Sequence, residues 1–256
     1  MAIITFMSDF GHRDSYVAAV KAKIYGINPN INIVDLSHEI EHFNLAHAAF
    51  VLRSVFRDFP KGTVHLVSVH APQHGKDRMI AMKVEEHYFV GIDNGLFSLV
   101  TDKQPTAIVE LIKDAAFQPT FPEKTILSST AVSLASGISI YNVGRQITEF
   151  KQMLNRLPRI NKEGISGSVI HIDTYGNLIT NISKEAFDKV RKDRNFTVSF
   201  AREITDIISE SYESKENADC VVVFNSQGLL EIAISQGNAT ALLGLSYDSP
   251  VKVSFI

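Results

Sequence analysis

Residues 44–69, NLAHAAFVLRSVFRDFPKGTVHLVSV, read as a helix, a break and a strand, in that order. Leu45, Ala48, Ala49, Leu52, Val55, Phe56 and Phe59 recur at helical spacing and share one face. Asn44 is placed to cap the helix, because a short polar side chain accepts an N–H left unbonded in the first turn. Pro60, Lys61 and Gly62 end it, and the β-branched run to Val69 then reads as a buried strand.

The same alternation runs upstream. AIITFM (2–7) is a short apolar strand, and INIVDLS (31–37) is another. Between them Val17, Val20, Ile24 and Ile27 mark a helix, with Asp14 as the expected cap. A strand–helix–strand–helix–strand order predicts right-handed crossovers and a mainly parallel sheet covered by helices. Ligands bind such sheets at the carboxyl ends of the strands. Three polar loops fall there: SDFGHRD (8–14), SHEIEHF (37–43) and HAPQHGKDR (70–78).

RMIAMKV (78–84), YFVGI (88–92) and AIVEL (107–111) add strands, with the turn signal DNG (93–95) among them. SSTAVSLASG (128–137) reads as a short helix with serine caps and a closing glycine. The pattern then changes. EFKQMLNRLPRINKEGISG (149–167) carries charges, a proline and glycines. Beyond it lie short strands separated by turns: SVIHID, LITNI, FTVSFA, CVVVF, LLEIAIS and VKVSFI. The expected fold is α/β: an N-terminal α/β domain over 1–155, a linker over 156–167, and a C-terminal small β-barrel-like domain over 168–256.

With 256 residues, 45% of them hydrophobic, the chain can bury one large core or two smaller ones. A net charge of -3 gives no basic excess, which argues against a nucleic-acid partner. The lone Cys220 sits in an apolar run and excludes a disulfide framework within the chain, which suits a reducing cytoplasm. The N-terminus lacks the basic and small-residue features of a signal peptide, and no apolar run approaches a membrane span. A cytoplasmic protein with no membrane partner is expected.

Each polar motif has a chemical and a bland reading. Asp9, directly after a strand and near Gly11, can accept hydrogen bonds from a diol or simply cap its loop. IDTYGNLITNI (172–182) clusters Asp173, Tyr175 and Asn177 about Gly176, offering an acceptor, a ring and an amide. Its bland reading is a tight turn whose Asp and Asn bond their own backbone. His70 with Asp77 or Glu123 can form a general-base pair, or the 70–78 loop is a solvated polar turn. His70, His74 and Asp77 lack metal-ligand spacing, so no metal is expected. His12, His38, His42, His47, His65, His87 and His171 occupy mostly surface or strand positions and receive no role.

Taken together, SDFGHRDSYVAAVK, IVDLSHEI, FPKGTVHLVSV, YFVGIDNGLFSLV, IDTYGNLITNI and NSQGLLEIAISQGNA resemble the S-adenosylmethionine (SAM) hydroxide adenosyltransferases. That family also includes the SAM-dependent fluorinases and chlorinases. The resemblance runs in family order over nearly the whole chain. It implies homotrimers, with SAM held between the N-terminal domain of one subunit and the C-terminal domain of a neighbour. It also implies SAM as substrate or ligand, with no separate cofactor.

By that resemblance Asp9 would hold the ribose hydroxyls, and Phe43 would line the sulfonium surroundings. Asp173 and Asn177 would take the methionine amino and carboxylate ends, and Tyr175 would pack on the adenine. Ser226 and the backbone near Gln236 would read the adenine edge, and Asn94 joins the same substrate-binding set. The implied reaction is in-line attack by water or hydroxide at ribose C5′, releasing adenosine and methionine.

The hydrolytic members place an Asp–Arg–His set around that water, and here the aligned positions hold His70, Asp77 and Pro122. Arg78, one place along, can stand in for the arginine. The halogenase pattern does not fit either, because Glu123 occupies the halide-pocket serine position and would repel a halide. His70, Asp77, Arg78 and Glu123 are therefore the candidate catalytic residues of a rearranged hydrolase. A non-catalytic SAM or adenosine binder, or adenosyl transfer to a different nucleophile, remains the alternative.

Overall fold

The computed structural model describes residues 2–70, 78–112 and 120–256. The chain divides into two compact units after Leu154.

The first unit runs β1 (Ile3–Ser8), α1 (Tyr16–Ile27), β2 (Asn32–Ser37), α2 (Leu45–Val55), β3 (Val64–Ser68), β4 (Met79–Val84), β5 (His87–Ile92), α3 (Leu96–Val100), β6 (Ala107–Leu111), α4 (Ser128–Ala135) and β7 (Gly144–Gln146). Its sheet has the order β2-β1-β3-β5-β4-β6-β7. Residues alternate across it as a pleated strand demands. Phe6 and Leu66 face the layer of α1 and α4, while Met7 and Val67 face the layer of α2. Both faces are thus covered, as the sequence pattern predicts.

The sheet is mixed, and this corrects the mainly parallel expectation. β2, β1, β3 and β5 pair parallel, whereas each pairing from β5 through β4 and β6 to β7 is antiparallel. The cause is a two-residue hairpin, Glu85–Glu86, between Val84 and His87. Both glutamates have positive φ, 50° and 68°. Such a turn ordinarily announces itself with Asn or Gly, and two glutamates hide it. Arg57 compensates by donating two hydrogen bonds to Glu85, at 2.7 and 3.0 Å. That pairing holds the Glu85 carboxyl down to about 2.

The helix ends differ in detail from expectation. Asn44 does cap α2, accepting from the His47 N–H at 2.9 Å. The residue preceding α1 is Ser15, not Asp14, and it makes no side-chain cap bond. α2 tightens into a single 3₁₀ turn over Phe56–Asp58. α4 follows a π-helical turn over Glu123–Leu127, and its serines do not cap it. Ser129 and Ser133 instead bond back to the carbonyls of Thr125 and Ser129. Gly137 closes the helix at φ 88°, as expected.

The second unit contains β8 (Arg159–Ile160), β9 (Gly164–Ile172), β10 (Leu178–Ser183), α5 (Lys184–Arg191), β11 (Phe196–Phe200), β12 (Glu203–Thr205), β13 (Cys220–Phe224), β14 (Leu229–Ile234), α6 (Ala239–Leu243) and β15 (Pro250–Phe255). Residues 159–160 and 164–167 of the expected linker are therefore strand. The sheet is antiparallel throughout, in the order β12-β11-β15-β9-β10-β14-β13 with β8 on β9. It curls into a half-barrel. Phe187 of α5 shows how the curl closes on itself, for its ring meets Phe196, Phe255 and Phe224 from both wings within 5.4 Å.

Candidate functional site

In the first unit, Asp9 gathers three strand ends. Its Oδ2 accepts the backbone N–H of Phe43 and that of His70, each at 3.1 Å, and its own N–H donates to Ser68 O. Phe43 and His70 both sit in the left-handed region, at φ 65° and 57°. Neither residue favours that conformation, so the carboxylate offsets a strain of about 1–3 kcal/mol at each position. Their rings meet edge to face at 5.5 Å, and the Phe43 ring is left 66% exposed. The carboxylate, an aromatic face and an imidazole are thereby brought to one edge of the sheet.

Glu123 lies beneath this edge, only 2% exposed. Ser68 Oγ donates to its Oε1 at 2.8 Å. Burial pushes its carboxyl above the usual range, and the charge of Asp9 adds to the effect. A carboxyl so placed keeps its proton to higher pH than a solvated one. Among the described residues this carboxylate is bonded by Ser68 Oγ and not by the His70 ring.

Asn94 is drawn to the same edge. Its Nδ2 donates to Val69 O at 2.9 Å, and its Oδ1 accepts from the Leu96 N–H. Arg78 turns to Asp93, with Nε at 3.0 Å and Nη2 at 2.6 Å from Oδ2. Asp77 and His74 lie outside the described residues.

In the second unit Asp173 bonds the backbone of its own 172–182 turn, and the Asn177 amide bonds that carboxylate. Asp173 Oδ1 accepts from the N–H of Tyr175 and of Asn177, and Oδ2 accepts from Asn177 Nδ2. Gly176 is required twice over. Its φ is 84°, and a Cβ there would lie 2.3 Å from the Asn238 side chain. The turn leaves the Tyr175 ring 78% exposed, a free face for stacking. Gln236, at φ 52°, lies near this end of β14, since the Thr240 N–H donates to Gly176 O. Ser226 precedes β14 and lies at its other end, so it is not brought together with Gln236.

Several polar groups escaped the sequence reading. Ser68 sits inside an apolar run, where a buried serine has no signature. Glu231 is buried and takes hydrogen bonds from Tyr212 and Asn225, each at 2.9 Å. Burial, then Glu231, pushes the Tyr212 hydroxyl up to about 12. Four histidines left without a role are buried. His38 bonds Ser8 Oγ at 2.7 Å. His65 bonds Thr5 Oγ1 at 2.7 Å and faces His87 at 3.2 Å, and His171 lies within β9. Among the described residues, no three His, Cys, Asp or Glu side chains gather to hold a metal.

Comparison with known proteins covers both units. A model for the SAM hydroxide adenosyltransferase N-terminal domain matches residues 4–144, and one for the C-terminal domain matches 167–252. An (R)-S-adenosyl-L-methionine hydrolase of Methanocaldococcus jannaschii is 31% identical over 99% of this chain and 96% of its own. A crystal structure of a conserved protein from Thermotoga maritima superposes with a TM-score of 0.89 at 30% identity, covering 98% of this chain and 99% of that one. A fluorinase of an Actinoplanes species is more distant, at 25% identity over 73% of this chain and 74% of its own.

Proposed function

We propose that this chain, which belongs to the SAM hydroxide adenosyltransferase family, hydrolyses SAM to adenosine and L-methionine. The observation that carries the reading is the 31% identity, over 99% of the chain, to a protein named as an (R)-S-adenosyl-L-methionine hydrolase. The same name points to the (R)-sulfonium epimer as substrate.

In the reaction a water oxygen bonds to ribose C5′ and the C5′–S bond breaks. The bonding pair returns to sulfur, and the positive sulfonium becomes the neutral thioether of methionine. The leaving group is already activated, so the protein has to align the water, exclude bulk solvent and take one proton. His70 is the proposed base, half-buried at the edge that Asp9 organises, and Glu123 supplies a titrating carboxyl below it. Asp9 keeps Oδ1 for the ribose diol. Phe43 offers its ring to the sulfonium and Tyr175 offers its own to the adenine. Asp173 and Asn177 take the methionine end. The proposed assembly is a cytoplasmic homotrimer.

Chromatography of SAM incubated with the pure protein tests the proposal. Adenosine and methionine should appear together above the enzyme-free control. The replacement of the family Asp–Arg–His set by His70, Asp77 and Pro122 favours a second reading, a binder without chemistry. Calorimetric binding of SAM with no adenosine formed would establish that reading instead.

A further inference from the structure

Arg78 and Asp93 face each other where the β4–β5 hairpin opens, and the Asp93 N–H donates to Arg78 O at 2.9 Å. The guanidinium places two hydrogen bonds on Asp93 Oδ2, and Nη2 also donates to Glu149 O at 3.3 Å. The second oxygen of Asp93 accepts the Lys151 N–H at 2.7 Å. The Asp93 side chain is only 4% exposed, so this arginine is its close counter-charge away from water.

The next turn of chain is held as well. The Met153 N–H donates to Ser98 Oγ at 2.8 Å. The Met153 side chain lies over Gly95, where a Cβ would come within 2.6 Å of its Cγ. Gly95 has φ 100°, so any other residue there would be strained as well as crowded. Asn94, between Asp93 and Gly95, bonds the carbonyl of Val69, the residue before His70.

We infer that Arg78 is a positioning residue: its ion pair with Asp93 holds segment 149–153 and, through Asn94 and Val69, fixes the backbone that presents His70. It does not touch the reacting water. A guanidinium already committed to a buried carboxylate and a carbonyl has its charge and its direction spent. The role assigned to it rests on the hydrolytic reading given above.

A double-mutant cycle combined with amide hydrogen exchange tests the inference. Arg78→Gln and Asp93→Asn should each lower kcat/KM for SAM about tenfold, and the double variant should be no worse than either alone. Arg78→Lys keeps a cation beside Asp93 and should recover most of the loss. Both single variants should also speed exchange at the Lys151 and Met153 amides. A loss of about a hundredfold in Arg78→Gln, with Asp93→Asn at the wild-type rate, would overturn the inference. Unchanged exchange at both amides in both variants would overturn it equally. If the wild-type protein forms no adenosine, the hydrolytic reading falls, and the exchange measurement still decides whether the clamp exists.

Discussion

Asp9 shows how one carboxylate serves structure and chemistry together. Its Oδ2 is occupied by two backbone N–H groups from residues held in the left-handed region. Asp9→Ala would leave both amides without that acceptor and release the two loops. Urea denaturation should show a loss of about 2–4 kcal/mol, with Asp9→Asn losing about half as much. Glu123 makes a second prediction at this scale. Its carboxyl is raised by burial and by the charge of Asp9. The rate of SAM turnover should therefore climb with pH above the ordinary carboxylate range, as this group ionises. Glu123→Gln should remove that limb and cost about tenfold in kcat. A pH–rate profile unchanged in the variant would exclude Glu123 from the reaction. The sequence pointed to Asp9, because an acidic residue at a strand end beside a glycine has a recognisable pattern. It could not point to Ser68 or Asp93, whose meaning lies in partners 55 and 15 residues away.

The elements divide along a similar line. The amphipathic stripe of α2 and its Asn44 cap were legible because local periodicity and capping chemistry determine them. Asn44→Ala should cost about 1 kcal/mol in a denaturant titration. The Glu85–Glu86 hairpin was not legible, since its residues lack turn chemistry and long-range partners such as Arg57 sustain it. That one turn makes mixed a sheet expected to be mainly parallel. α5 is not legible, because the strand patterns on either side of its eight residues carry the stronger signal.

At the same scale, the buried array of Thr5, His65 and His87 gives the sheet a dependence on pH. Burial holds His65 down to about 3, and its neighbour His87 adds to the shift. The unfolded chain therefore binds this proton below about pH 6.5, while the folded chain does not. Stability should be full above that pH and fall by up to about 1.4 kcal/mol per unit as pH drops towards the folded value. His38, His47 and His87, all lowered mainly by burial, act in the same direction. Urea midpoints measured between neutral and mildly acidic pH check this, and a flat profile would refute it.

For the whole molecule, the change of sequence pattern near residue 150 falls close to the division into two compact units after Leu154. The proposed homotrimer rests on the family resemblance, because a subunit contact has no periodicity of its own. Leu154 and Leu157 are 95% and 80% exposed in the single chain. Apolar side chains so bare are consistent with a surface that another subunit covers. Light scattering should give a mass of about three times 28.4 kDa if the chain is the proposed homotrimer, and a monomeric mass would reject it.

The central claim, attack by water at C5′ of SAM, meets its most direct test in oxygen-18 water. Incubation of SAM with the protein should yield adenosine carrying one heavy oxygen, together with unlabelled methionine. Adenosine without the label, or none above the enzyme-free control, would contradict it.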